Sequence, residues 1–211
     1  MKILLKIYRR LFKHFGPQHW WPGETVEEII IGAVLTQNTN WGNVERAIEN
    51  LKRADALSLR KIVALEPETL SKLIRPSGYY NIKAKRLWAV ADYFVRRRDA
   101  DFSLLETIPT DELRDELLSV HGVGRETADS ILLYALNRPV FVVDAYTLRV
   151  GRRHGFLSDK DDYESARALF ERSIKRDVQP YNEYHALLVR LGKEYCRPRP
   201  RCAACPLFNR I

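Results

Sequence analysis

Cysteine is scarce in this chain. It occurs three times in 211 residues, at positions 196, 202 and 205, all within the last sixteen. An odd, clustered set of this kind does not build the disulfide framework of a small secreted domain. It suits a metal or cluster site in a reducing compartment, so a cytoplasmic location is expected. Long hydrophobic runs are missing as well. No stretch approaches the roughly 18 apolar residues that a membrane-spanning helix needs. The opening segment MKILLKIYRRLFKHFG lacks the unbroken apolar core of a secretory leader, because Lys6, Arg9, Arg10 and Lys13 interrupt it. Its apolar residues Leu4, Leu5, Tyr8, Leu11, Phe12 and Phe15 recur at helical spacing. A first helix docked on the core is expected from them, in preference to a membrane-surface helix. Low-complexity tracts and flexible linkers are absent too. Glycine is limited to ten residues, which makes the placing of two of them around one valine, below, a pointed choice.

What is present is charge and helical periodicity. Lys and Arg total 35 against 27 Asp and Glu, a net charge of +8, with a pI near 9.5. Such a balance favours polyanionic partners, nucleic acid above all. EEIIIGAVLTQ is apolar on nearly all sides, as a buried helix is. NVERAIENLKR, DELRDELLSV, ETADSILLYAL, YESARALFERSI and NEYHALLVRLGKEY carry apolar residues at i, i+3, i+4 and i+7. The one strand-like run, VFVVD at 140–144, is five residues long and follows Pro139. An extended connector is expected there, and the fold class is all-α. A faint internal echo places LIRPSGYYNIKAKRL over LLSVHGVGRETADSI at an offset of 44, with Gly78 on Gly122. It predicts two similar helix–turn–helix corners and no solenoid repeat.

Residues 120–129 read VHGVGRETAD. A helix with Leu113, Leu117 and Leu118 on one face enters. A second, with Ala128, Ile131, Leu132, Ala135 and Leu136 inward, leaves. Gly122 and Gly124 permit positive φ and remove side chains around Val123, so the backbone can approach something closely. Exposed amides at a helix start suit a phosphate oxygen, and Arg125 adds charge. Such contacts position a protein on DNA without reading sequence. From these residues alone, a tightly packed αα-corner is an equal alternative. Eighteen residues after Glu126 comes Asp144, in VVDAYTLRVGRRHG, where a capping Asp is expected at the start of a helix bearing Arg149, Arg152 and Arg153.

The Gly-Val-Gly hairpin followed by an aspartate at this distance resembles the endonuclease III superfamily of helix-hairpin-helix DNA glycosylases. The resemblance runs over nearly the whole chain. It implies a two-lobed all-α fold: a helical barrel lobe over residues 22–137, and a smaller lobe of residues 1–21 and 138–211 carrying a cysteine-rich loop. Double-stranded DNA with a damaged base is the implied partner, bound in a cleft between lobes by a monomer, with no membrane involved. Asp144 is then the catalytic carboxylate. Bifunctional members carry a lysine two residues past the second glycine, which forms a Schiff base with the sugar. Glu126 stands there instead, and a carboxylate cannot form an imine. The expected enzyme is a DNA glycosylase without abasic-site lyase activity, using water as the nucleophile. Asp144 either deprotonates that water or stabilises the cationic sugar. By its position alone, Glu126 is also a surface acid favoured by the helix dipole.

HWWPGETVEEIIIGAVLTQNTNW places Trp20, Trp21 and Trp41 near one another in sequence, with Pro22 adjacent. Core packing is the plain reading of any single tryptophan. However, two consecutive tryptophans cannot both point the same way, and Trp41 follows the polar run TQNTN. Flat aromatic faces suit an extruded base, especially a cationic one, at about 1–2 kcal/mol of cation–π attraction. This segment, with RPSGYYNIKAKRL, is similar to the 3-methyladenine DNA glycosylase III group, which also carries a glutamate at the position of Glu126. The resemblance implies a stacking pocket of Trp20, Trp21, Pro22 and Trp41 and N-alkylated purines as substrates. Such bases leave easily, so little acid catalysis is required. It also places Gln37 in the gap left by the flipped base and makes Tyr79 the wedge in the opposite strand. The residues alone allow a helix-terminal polar group and a packed turn aromatic.

Endonuclease III relatives hold a four-iron four-sulfur cluster, with a usual spacing of Cys-x6-Cys-x2-Cys-x5-Cys. Here Cys196, Cys202 and Cys205 supply three thiols, and Ile211 occupies the fourth position. A 4Fe-4S cluster with a non-cysteine fourth ligand, a lost cluster and a zinc site all remain open. The intervening RPRPR lies near the DNA backbone by the same resemblance. Alternatives to alkylpurine release are a glycosylase for mismatched thymine or uracil or for oxidised pyrimidines, and a catalytically silent module that binds damaged DNA.

Overall fold

A computed structural model describes residues 2–208. Among the described residues all regular structure is helical, and no strand forms. The helices in chain order are α1 (Lys2–Phe15), α2 (Val26–Leu35), α3 (Trp41–Arg53), α4 (Leu59–Ala64), α5 (Pro67–Leu73), α6 (Tyr80–Arg98), α7 (Thr110–Ser119), α8 (Arg125–Ser130), α9 (Ala145–Arg153), α10 (Tyr163–Ser173) and α11 (Val178–Glu194). Contacts divide the chain into two compact units. One is Pro22–Leu136, and the other combines Met1–Trp21 with Asn137–Ile211.

The Pro22–Leu136 unit is built around α2, whose Ile30, Ile31, Val34 and Leu35 are fully buried. That explains why the segment is apolar on nearly all sides. Thr25 caps its start by accepting from the Glu28 amide, and the Thr36 hydroxyl donates to Gly32 O at its end. Asn40 and Ser58 cap α3 and α4 in the same way. The segment ETADSILLYAL is not one uniform helix. After Ser130 it loosens into a π turn over Ile131–Ala135, closed by the Leu136 amide on Ile131 O. All five residues of that turn are buried. The two corners paired at an offset of 44 do share their key feature, since Gly78 and Gly122 adopt φ of +71° and +81°.

In the other unit, α1 packs through Leu4, Ile7 and Leu11. The buried stripe is narrower than the six apolar residues suggest: Ile7 belongs to it, whereas Phe12 is exposed. Tyr184 of α11 donates its hydroxyl to Leu4 O and packs its ring on Tyr8. The run at 140–143 is wholly buried yet extended. Side chains satisfy its amides in place of a neighbouring strand: Phe141 N donates to Glu171, and Val143 N donates to the Tyr163 hydroxyl. Burial on both sides accounts for its strand-like composition. Phe141 stacks on Phe170 at 4.1 Å, with Tyr181 and Tyr184 edge-on to it.

Candidate functional site

Asp144 ends this buried connector and caps α9. Its Oδ1 accepts from Thr147 N at 2.7 Å and from Thr147 Oγ1 at 2.9 Å. The capping role foreseen from sequence is therefore real, but it uses one carboxylate oxygen only. Oδ2 faces Nε2 of His185 on α11, 3.7 Å away. At that separation the imidazole acts on the carboxylate electrostatically. Burial pushes the Asp144 carboxyl up. The neighbouring His185 and the two Thr147 donors outweigh it and hold the group below its ordinary value. Asp144 is thus an anion at neutral pH, with Oδ2 not engaged by Thr147.

Trp20 and Trp21 belong to the same unit as Asp144. Their rings pack edge to face, 6.0 Å apart, so the two side chains meet each other and the expectation that they point apart does not hold. Both are half-buried. Lys193 lies 5.7 Å from the centroid of the Trp20 ring, and His185 meets the same ring edge-on at 6.5 Å. The other two expected pocket residues fall in the Pro22–Leu136 unit. Pro22 is exposed there, and Trp41 opens α3 half-buried, donating its indole N–H to Glu45.

The hairpin explains its two glycines differently. At Gly122, φ is +81°, and a Cβ would sit 2.2 Å from Cγ of Arg86. This glycine is an internal requirement. At Gly124 φ is −97° and a Cβ would meet nothing within 4 Å. Nothing inside the protein demands that glycine, and the position is exposed. Val123 between them turns inward at 8% exposure, so only its backbone faces outward. Arg125 and Glu126 are both exposed in the first turn of α8. The helices on either side of the turn are clamped by a buried fork: Arg114 of α7 donates to Asp129 of α8 at 2.6 and 3.1 Å. The clamp holds the turn in shape.

Gln37 is tied to this hairpin. Its amide nitrogen donates to Gly122 O at 3.2 Å and to Thr127 Oγ1 at 3.0 Å, while its oxygen accepts from Arg86 at 2.5 Å. The Arg86 side chain that covers Gly122 therefore also orients Gln37. Tyr79 lies apart from these residues in sequence. It is 70% exposed at the start of α6 with φ of +46°. Beneath it, Lys83 is 1% exposed and donates to Leu35 O and Ser77 O, both at 2.7 Å. Burial, with Arg86 nearby, lowers its ammonium pKa to about 8. The exposed tyrosine thus rests on a rigid, internally bonded base.

Two of the three arginines of α9 turn back onto the protein. Arg149 donates to Cys196 O and Gly192 O, and Arg153 donates to Arg197 O and Pro198 O. They fasten the cysteine-rich loop through its carbonyls. In that loop Cys196 is buried, Cys202 exposed and Cys205 between the two. Burial, with the neighbouring cysteines, raises the Cys205 thiol. Among the described residues no three His, Cys, Asp or Glu side chains come together to hold a metal ion. Cys196 and Cys202 are near enough to Cys205 for their charges to act on its thiol, and these three would be the thiols to hold an iron–sulfur cluster; the chemistry below uses no metal. Ile211, the position of a fourth ligand, lies outside the described residues.

His185, Arg86 and Lys83 escaped the sequence reading. His185 sits in the apolar pattern of NEYHALLVRLGKEY, where a lone histidine is ordinarily a core residue, and nothing local signals that it faces Asp144. Elsewhere in the Pro22–Leu136 unit, an open groove of about 630 Å³ is lined by Thr25, Arg60, Asp99 and Phe102 and holds none of the expected site residues. Among the described residues no helix is long and apolar enough to cross a membrane.

Comparison with known proteins adds the following. A profile of the HhH-GPD superfamily base excision DNA repair proteins matches residues 31–176. A Methanocaldococcus jannaschii protein provisionally named a DNA repair glycosylase is 48% identical over 98% of this chain and 94% of its own. Endonuclease III of Thermotoga maritima is 29% identical, over 98% and 91%. Among solved structures, the H. pylori 3-methyladenine DNA glycosylase bound to 1,N6-ethenoadenine is 30% identical with a TM-score of 0.77, covering 90% of this chain and 97% of that one. An endonuclease III–DNA complex, 23% identical, shares the fold with a TM-score of 0.82 over 97% and 92%.

Proposed function

Because the chain belongs to the HhH-GPD superfamily of base excision DNA repair proteins, we propose that it is a monofunctional DNA glycosylase releasing N-alkylated purines, 3-methyladenine foremost, from duplex DNA. The observation that carries this reading is Asp144: a buried carboxylate, held anionic, with Oδ1 locked by Thr147 and Oδ2 left over. An anion of this kind stabilises the positive charge that develops on the deoxyribose as the base departs. Water then attacks C1′, the glycosidic electron pair leaves with the base, and an abasic site remains. The alkylated purine already carries positive charge, so it departs without a strong acid. Its flat cationic ring suits stacking on an aromatic face, for which Trp20 and Trp21 are the candidates in the unit of Asp144 and Trp41 in the other. Among relatives of known structure, the H. pylori enzyme is a 3-methyladenine glycosylase, which favours the same substrate class here.

Glu126 supports the absence of lyase chemistry, since its carboxylate offers no amine to the sugar. Incubation with methylated duplex is expected to release 3-methyladenine, leave the strand intact until alkali is added, and give no borohydride-trapped adduct. A covalent adduct would overturn the assignment of Glu126. Release confined to oxidised or mismatched pyrimidines would favour the other glycosylase reading, and no release under excess substrate would favour a binding module.

The hairpin is the proposed grip on the DNA backbone, with Gln37 and Tyr79 entering the opened duplex. The two glycines separate grip from folding. Gly124→Ala is expected to leave thermal stability unchanged but weaken duplex binding about tenfold, roughly 1.4 kcal/mol, because an added methyl group stands between backbone and phosphate. Gly122→Ala is expected to lower both, costing about 1–2 kcal/mol in stability from its left-handed φ and more from the displaced Arg86. Equal effects on unfolding and on fluorescence-measured affinity for the two variants would remove Gly124 from the interface.

A further inference from the structure

We infer that His185 is a positioning residue for base release, fixing the carboxylate oxygen of Asp144 that faces the reaction. The inference rests on the proposed glycosylase chemistry and adds to it a group that never touches the substrate. Three features converge on this histidine. First, the two oxygens of Asp144 have separate tasks. Oδ1 is committed to Thr147, which is itself fully buried, and Oδ2 points at His185 Nε2 across 3.7 Å. With one oxygen pinned, the direction of the other is set by what stands opposite it.

Second, the imidazole itself has little freedom. His185 is 5% exposed, in a stretch of α11 buried from Glu183 through Val189. Its neighbours anchor the chain before and around it: Glu183 accepts from the Gln18 amide, and the Tyr184 hydroxyl donates to Leu4 O. A ring held this way offers Oδ2 a fixed surface and a fixed dipole. Third, the same ring stands edge-on to Trp20 at 6.5 Å and 85°. His185 therefore lies between the carboxylate proposed to stabilise the sugar and an aromatic ring proposed to stack on the base. At 3.7 Å the histidine acts on the carboxylate electrostatically and by limiting its rotation.

The test uses single-turnover excision from methylated duplex beside duplex affinity, for wild type, His185→Leu, His185→Gln and Asp144→Asn. His185→Leu removes the polar edge and is expected to slow excision about 30-fold with affinity unchanged within twofold. His185→Gln places an amide nitrogen at the reach of Nε2 and is expected to recover to within about fivefold of wild type. A residue that only fills space would show no such recovery. His185→Leu within threefold of wild type, equal slowing by both variants, or an affinity loss that matches the rate loss would each overturn the inference. Should His185→Leu fail to fold, His185→Met replaces it as the apolar variant and the same outcomes apply. Failure of the underlying reading looks different: wild type would release no methylated base, or Asp144→Asn would release it normally.

Discussion

Asp144→Asn is expected to slow base release by about a thousandfold or more, equivalent to about 4 kcal/mol of transition-state stabilisation, while duplex affinity stays close to that of wild type. The asparagine keeps an oxygen able to accept from Thr147 N and Oγ1, so the start of α9 remains capped. What disappears is the charge proposed to face the sugar. Single-turnover rates beside binding isotherms check this directly. Near-normal excision would mean that another group supplies the anion. A parallel loss of affinity would mean that Asp144 is structural. The pH dependence follows from the lowered carboxyl. A group with its folded pKa depressed stabilises the fold above its ordinary value, and that contribution is lost as pH falls through the folded pKa. Through neutral pH, Asp144 stays charged, so its titration is expected to leave the excision rate flat there.

The largest effect on stability is expected from Asp129→Ala. Asp129 is fully buried and Arg114 is 8% exposed. Their two hydrogen bonds, at 2.6 and 3.1 Å, join the helices on either side of the Gly122–Gly124 turn. Removing the carboxylate takes away two charge-assisted bonds that offset burial of the guanidinium, at about 3–5 kcal/mol. Urea unfolding followed by circular dichroism measures the loss. A double change, Arg114→Met with Asp129→Leu, is expected to regain most of it, because an apolar pair avoids burying charge at all. If Asp129→Ala unfolds within about 1 kcal/mol of wild type, the fork is not what holds the hairpin.

Much of this protein was legible without coordinates because its signals are local. Helical periodicity predicts the elements, and it does so best where one face is buried, as in α3 and α11. The glycines of VHGVGRETAD mark a turn, and Gly122 does adopt the left-handed conformation that only glycine takes easily. The strand-like run 140–143 was correctly separated from a sheet by its length and its flanking proline. Local signals failed where packing overrode them. The segment after Ser130 forms a π turn where the periodicity predicts a uniform helix, and the stripe of α1 recruits Ile7 and leaves Phe12 in solvent.

The sequence by itself determined the all-helical class, the hairpin, the capping aspartate and the absence of an amine at position 126, since each depends on neighbours a few residues apart. Tertiary structure alone decided which groups meet. It set His185 opposite Asp144, joined Gln37 to a carbonyl 85 residues away, and turned Arg149 and Arg153 onto the carbonyls around Cys196 in place of an open surface. Those pairings depend on how whole helices pack against one another, and helix packing is a property of the assembled core that no short window of residues encodes.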